Sequence, residues 1–174
     1  MPLILPSDRL KRIAQAPRAS IQLWKEGVSI ESAANMSISS LLCRVAADRW
    51  HLAYAFRAQA NKLCAANPPT YRSSISRYYY SMYHALRACV FLDNEGDDYE
   101  EHSKLPLHIP ATLDHTTDWQ SKMKDARLLR NRADYDAYPK TDKSWARSAG
   151  QIKSDAVHLL RVSRTFLVTK GCAL

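Results

Sequence analysis

Two guanidiniums, an amide, a carboxylate and a phenol stand within one short stretch, Arg130-Asn131-Arg132-Ala133-Asp134-Tyr135, near the end of a run with helical periodicity. On a helix such a stretch spans about one and a half turns. An arginine grips a phosphate through two parallel N–H bonds, the Asn131 amide adds a directed hydrogen bond, and the Tyr135 phenol adds a hydroxyl. Lys124, Arg127, Asn131 and Tyr135 share one helical face, with Arg130 on the adjoining strip and Arg132 as a further cation. The same types also suit a solvated face. Arg130 and Asp134 are four residues apart, a spacing that gives a surface ion pair worth a few tenths of a kcal/mol.

A second polar stripe lies upstream. Ser73, Arg77, Tyr80, His84 and Arg87 fall at helical spacing along one side, flanked by Tyr78 and Tyr83. Phenols beside guanidiniums stack on bases and hold phosphates in RNA sites. Tyrosine also packs well between helices, needing one polar partner for its hydroxyl. His84 reads more simply as a buried imidazole satisfied by a neighbouring hydroxyl than as a metal ligand.

The elements that must position these groups are helices. Apolar residues Leu42, Val45, Leu52, Phe56, Ala60 and Leu63 recur at helical intervals over 39–66, interrupted by Arg49, and Pro68-Pro69 stops that run. A second helix is predicted over 70–92 with Ile75, Tyr79, Met82, Leu86 and Cys89 inward. Residues 93–103, crowded with acids, read as an exposed loop. Pro106 and Pro110 leave room for only a short helix over 105–115. Asp118 is the predicted cap of a third helix carrying Trp119, Met123, Ala126, Leu129 and Ala133 inward, bounded by Pro139. Asp142 or Ser144 caps the last, in which Ile152, Ala156, Leu159 and Phe166 share a side. Residues 1–38 read as a basic helical arm with broken periodicity around Gly27, and 39–174 as the bundle. The expected fold is all-α: an antiparallel bundle of four to five helices with an N-terminal helical extension.

Composition narrows the function classes. The chain has 174 residues, 46% hydrophobic and 24% charged, enough apolar surface for one core. With only 4 Gly it has no glycine-rich phosphate loop, and neither nucleotide-binding glycine motif occurs. The 4 Cys form no C-x-x-C pair, so a reduced, cytoplasmic protein is expected. The apolar run at 1–6 is too short for a signal peptide, and no stretch is long enough to span a membrane. No metal and no cofactor are expected, because the histidines lie in irregular spacing and no H-E-x-x-H occurs. The formal charge of +8 attracts polyanions. Its distribution is bipolar: Arg72, Arg77 and Arg87 on one helix are followed by Asp93, Glu95, Asp97, Asp98, Glu100 and Glu101, an arrangement suited to steering a phosphate chain or a complementary protein.

The segment Arg77-Tyr78-Tyr79-Tyr80-Ser81-Met82-Tyr83-His84-Ala85, then His102, then Arg130-Asn131-Arg132-Ala133-Asp134-Tyr135-Asp136 together resemble the HEPN family of small helical domains, over roughly residues 39–168. That resemblance implies a dimeric helical bundle. It implies either a metal-independent endoribonuclease, acting as a toxin or phage-defence effector, or a non-catalytic partner of a small nucleotidyltransferase. Nuclease members carry an arginine, a polar residue directly after it, and a histidine four to six residues beyond. Arg130 and Asn131 match; Tyr135 stands where the histidine would be, and the next histidine is His158. Imidazole titrates near neutral pH and suits proton transfer, whereas a phenol is a poor base there.

Two functions are therefore expected as alternatives. In the first, RNA is the substrate of a homodimer. Arg130 of each protomer clamps the scissile phosphate, Asn131 orients it, Asp134 and Tyr135 complete the catalytic set, and Arg77, Tyr80, His84, Arg127, Arg132 and His102 bind the strand. His102 or His84 supplies acid–base chemistry if folding brings either close. In the second, the polar cluster is a binding surface for a nucleotidyltransferase or other protein, and Tyr135 is a hydroxyl such a partner could modify with AMP.

Overall fold

A computed structural model describes residues 7–174, so the apolar run at 1–6 lies outside the described residues. The chain divides into two compact units, meeting at Leu41 and Leu42. The first holds helices α1 (Ser7–Ala14) and α2 (Arg18–Ala34) and the start of α3 (Ile38–Ala65). No residue of α2 is buried. The helix runs through Gly27 without the break expected there, since a glycine weakens a helix by about 1 kcal/mol relative to alanine but does not end it. Asn35 in the left-handed conformation (φ 50°) ends α2, and Ser37 Oγ then accepts the Ser40 N–H at 3.1 Å to start α3.

The second unit is the all-α bundle, built from α3, α4 (Tyr71–Asn94), α5 (Thr116–Tyr135) and α6 (Ala146–Thr169). Paired contacts give the directions. Phe56 meets Tyr80 and His84 while Arg49 reaches Asp97, so α3 and α4 are antiparallel. Arg72 bonds the Ala133 carbonyl while Tyr80 meets Arg130, so α4 and α5 are antiparallel too. Lys122–Asp155 and Trp119–His158 reverse α6 against α5. This is the expected up-and-down bundle. Helix α4 is its centre: Ile75, Tyr78, Tyr79, Met82, Leu86 and Cys89 are all essentially inaccessible to solvent. Among the described residues no helix is long and apolar enough to cross a membrane.

The inward face of α3 differs from the expected one. Val45 and Leu52 are exposed, and Leu42, Phe56 and Leu63 are only partly covered. The buried residues are Ala46, Ala47, Trp50, Ala53 and Ala60. Alanines let the helix axes approach closely, and Trp50 fills the remaining space, donating its indole N–H toward the Leu160 carbonyl (3.2 Å) and Ser163 Oγ (3.1 Å).

Both predicted caps are also corrected. Helix α5 begins two residues before Asp118, after His115 in the left-handed conformation (φ 60°), and Asp118 lies in its first turn, where a carboxylate complements the positive helix end. Neither Asp142 nor Ser144 caps α6, which follows a 3-10 turn over Asp142–Trp145. The Asp142 carboxylate instead accepts the backbone N–H groups of Tyr71 and of Arg72 (3.2 Å), capping α4 from across the bundle. Thr70, the residue in the cap position, makes no such bond.

Part of the bipolar charge pattern is neutralised locally. Arg49 holds Asp97 through two bonds of 2.8 and 2.9 Å, and Arg87 takes the same carboxylate as well as Glu100 (3.0 Å). The Arg87 hydrogen bonds, with Arg49 behind them, pull the Asp97 pKa down to about 2. The loop after α4 is thereby fastened onto the helix that precedes it. At the far end of the chain the Cys172 and Cys43 sulfurs lie 2.8 Å apart, and the Trp119 indole closes the start of α5 by donating to the Asp114 carbonyl at 3.0 Å.

Removing the remote cap should be measurable. Asp142→Ala is expected to lower the unfolding free energy by about 1–2 kcal/mol in urea titrations, and Asp142→Asn, which keeps an acceptor oxygen, by less.

Candidate functional site

Three elements converge on one open cleft of about 480 Å³, lined by Tyr79, Glu101, His102, Ser103, Arg127, Arg130, Asn131 and Tyr135. Helix α5 places Arg127, Arg130, Asn131 and Tyr135 together because residues three and four apart share a helix side. Ala126 and Ala133, buried on the opposite side, hold that face outward. Helix α4 supplies the wall, and the loop before the Leu105–His108 turn supplies His102.

Arg130 is held on three sides. Its Nη2 donates to Tyr80 Oη at 2.7 Å and its Nη1 to Asn131 Oδ1 at 3.0 Å. Its Nε lies 2.8 Å from Asp134 Oδ2, a charge contact whose N–H is not aligned on the oxygen. Burial works against the Arg130 charge, but Tyr80, Asp134 and Tyr135 outweigh it and hold the pKa above its ordinary value. A guanidinium has five N–H donors, so these contacts leave donors for a ligand. Arg127 adds a second cation to the lining. Glu101, the one acid among the lining residues, is taken by Lys104 at 2.6 Å.

His102 is fixed by two phenols of the central helix. Tyr79 Oη lies 2.7 Å from His102 Nδ1, and the imidazole rests on the Tyr83 ring with centroids 4.1 Å apart. The Tyr83 hydroxyl in turn donates to the Glu100 carbonyl, pinning the loop just before the histidine. Burial pushes the Tyr79 pKa up to about 12, with Arg127 and Arg130 pulling against it, so the hydroxyl stays protonated. A neutral phenol both donates and accepts, and it therefore serves either tautomer of the imidazole. Burial, then the charges of Arg130, Arg127 and Arg87, lower the His102 pKa. The result is an oriented, neutral imidazole beside two guanidiniums.

The remaining sequence candidates fall elsewhere. Asp134 is behind Arg130 and also accepts from Ser76 Oγ at 3.3 Å, so it positions the arginine and does not line the cleft. Tyr80 also stands behind Arg130. His84 lies stacked on Phe56 (5.2 Å, 5°), and the Arg77 guanidinium lies 5.8 Å from the centre of the same ring; neither lines the cleft. Arg132 is exposed beside Asp136. Tyr79, read from sequence as plain core, turns out to be core and cleft at once: its residue is 1% exposed while its hydroxyl holds His102. The available signal was chemical, since a tyrosine in place of phenylalanine at a buried position needs a polar partner. Among the described residues no three or more His, Cys, Asp or Glu side chains cluster as metal ligands would.

Comparison of the chain with protein-family models finds no match, and comparisons with curated proteins and with solved structures find none either.

His84 carries a pH signature separate from the cleft. Burial, then Arg87, Arg49 and His102, lower its pKa to about 4 from an ordinary 6.5. Its folded form thus binds a proton less readily than its unfolded form. The wild-type protein is expected to lose stability progressively between pH 6.5 and about 4 relative to His84→Phe, a variant that keeps the stack on Phe56. Denaturation curves at a series of pH values measure the difference; parallel pH dependence of the two proteins would contradict the assigned shift.

Proposed function

We propose that this protein binds RNA and cleaves it without a metal, as an endoribonuclease of HEPN type acting as a homodimer. The observation that carries the proposal is the entry of His102, oriented by Tyr79, into the cleft that holds Arg127, Arg130, Asn131 and Tyr135. The imidazole missing from its motif position on α5 is replaced in space by one from the loop after α4.

The chemistry follows from the groups present. Arg130 and Arg127 hold the non-bridging oxygens of a phosphodiester and stabilise the charge that builds on them. Neutral His102 takes the proton of the ribose 2′-OH through its outer nitrogen. The 2′-oxygen then attacks phosphorus, the bond to the 5′-oxygen breaks, and a proton from Tyr135 or from the newly formed imidazolium goes to the leaving oxygen. The products are a 2′,3′-cyclic phosphate and a 5′-hydroxyl. Tyr135, 75% exposed, is free to approach the strand as that donor. In a homodimer a second Arg130 would add its charge to the same phosphate.

The same exposure of Tyr135 favours one alternative, a non-catalytic partner of a nucleotidyltransferase that transfers AMP to the phenol. In that case co-expression adds the mass of an adenylate to the peptide containing Tyr135, and the free protein leaves RNA intact.

Cleavage of total RNA in EDTA with cyclic phosphate ends is the expected outcome. Arg130→Ala should slow it about 100-fold or more, and His102→Ala by a similar factor. Because its folded pKa is lowered, neutral His102 prevails down to a pH below 6.5, and the acid limb of the rate profile should lie there and vanish in His102→Ala. Arg130→Ala protein cutting as fast as wild type would remove the mechanism.

A further inference from the structure

Next to the cationic cleft lies a second hollow of about 310 Å³, lined by His102, Ser103, Pro106, Leu107, Gln120, Lys124, Arg127 and Leu128. Three residues, His102, Ser103 and Arg127, line both, so the two hollows adjoin. Their characters differ. The first carries Arg127, Arg130 and Asn131, while the second is walled by aliphatic side chains with one amide, that of Gln120, and one ammonium, that of Lys124.

Two side chains of the aliphatic wall are exposed. Leu107 is 70% and Leu128 53% exposed, so two large apolar side chains stand in water beside cations. Leu107 is held there by its neighbours: Leu105 and Pro106 are buried, and the Leu107 N–H is bonded to the Lys104 carbonyl at 2.8 Å, which fixes the short Leu105–His108 turn. Leu128 lies on α5 one residue beyond Arg127 and shares its outward side with Lys124. The hollow is thus an apolar slot with one amide, flanked by positive charge. It is too small to seat a folded domain. A planar heteroaromatic ring attached to a phosphate fits each of these features: an apolar face against Leu107, Pro106 and Leu128, polar edge atoms for the Gln120 amide, and charge on the sugar–phosphate side for Lys124 and Arg127.

We infer that the Pro106–Leu107–Gln120–Leu128 hollow is a nucleobase subsite, which seats the base of a single-stranded nucleotide whose phosphate lies on Lys124 and Arg127. It rests on the RNA-binding reading of the adjoining cleft and adds a specificity element to it. A base paired in a duplex keeps its faces stacked on its neighbours, so only an unpaired nucleotide enters. The two exposed leucines offer an apolar contact surface, without a preference set by charge, where other single-strand sites present aromatic rings.

The test uses full-length protein and short 2′-O-methyl RNA strands, which cannot be cut by 2′-OH attack, in a fluorescence anisotropy titration. One strand carries bases throughout; the other has the same length and phosphates but abasic nucleotides. Wild type is expected to bind the base-bearing strand about tenfold tighter. Leu107→Ala and Leu128→Ala, both at exposed positions, should erase most of that ratio while leaving abasic-strand affinity and thermal stability unchanged. Equal wild-type affinity for both strands overturns the subsite and leaves the phosphate-binding cleft standing. A ratio that survives both substitutions also overturns it, because the base is then read elsewhere. Failure to bind either strand overturns the RNA reading itself. A drop in native mass on Leu128→Ala without RNA assigns the hollow to contact with a second copy and likewise rejects the inference.

Discussion

The guanidinium of Arg130 joins α5 to α4 and, at the same time, supplies the charge around which the cleft is organised. Its contact with Tyr80 crosses the helix interface, and its contacts with Asn131 and Asp134 stay on its own helix. A guanidinium restrained at three nitrogens loses little freedom when it meets an anion, which is the condition for strong charge-assisted binding. Tyr80 therefore does more than pack: it fixes the direction in which the remaining N–H groups face. The buried phenols at 79 and 83 do the corresponding work for the loop, holding Glu100 and His102 against the helix. A row of tyrosines on one central helix thus orients two foreign segments by their hydroxyls while filling the core with their rings.

Charge in this protein is sorted by pairing rather than by region. Asp97 and Glu100, in the loop after α4, return onto Arg49 and Arg87 and offset them at short range. Arg130 keeps a carboxylate behind it, but Arg127 and Lys124 face the depression without a carboxylate partner in the ion pairs of the described residues. A net charge of +8 is therefore less informative than the places where cations are left uncompensated.

How much was legible in the sequence depends on whether large apolar residues carried the signal. Helices α4, α5 and α6 show theirs through Ile75, Met82, Trp119, Met123, Ile152 and Leu159, all buried as their spacing predicts. Helix α3 misleads because its packed face is alanine around one tryptophan, and Val45 and Leu52 draw attention to the wrong side. The polar face of α5 was readable because its members are helix neighbours. The arrival of His102 was not, since a loop's return path is set by the Tyr79 and Tyr83 hydroxyls and no periodicity encodes it. Asp142 illustrates the same limit: a cap is recognised by adjacency to its own helix, and this one serves another.

That carboxylate has a bearing on how the molecule is made. The helix that carries the tyrosines has its first turn completed by a residue about seventy positions downstream, beyond α5 and just ahead of α6. While the chain is still emerging from a ribosome, the amide hydrogens at 71 and 72 lack this acceptor until the last fifth of the protein has been synthesised. The cleft contains nothing from that last fifth, yet the helix that walls it is capped only once that part is present. A nascent or C-terminally shortened chain would thus hold every cleft residue and still lack a firm wall to mount them on.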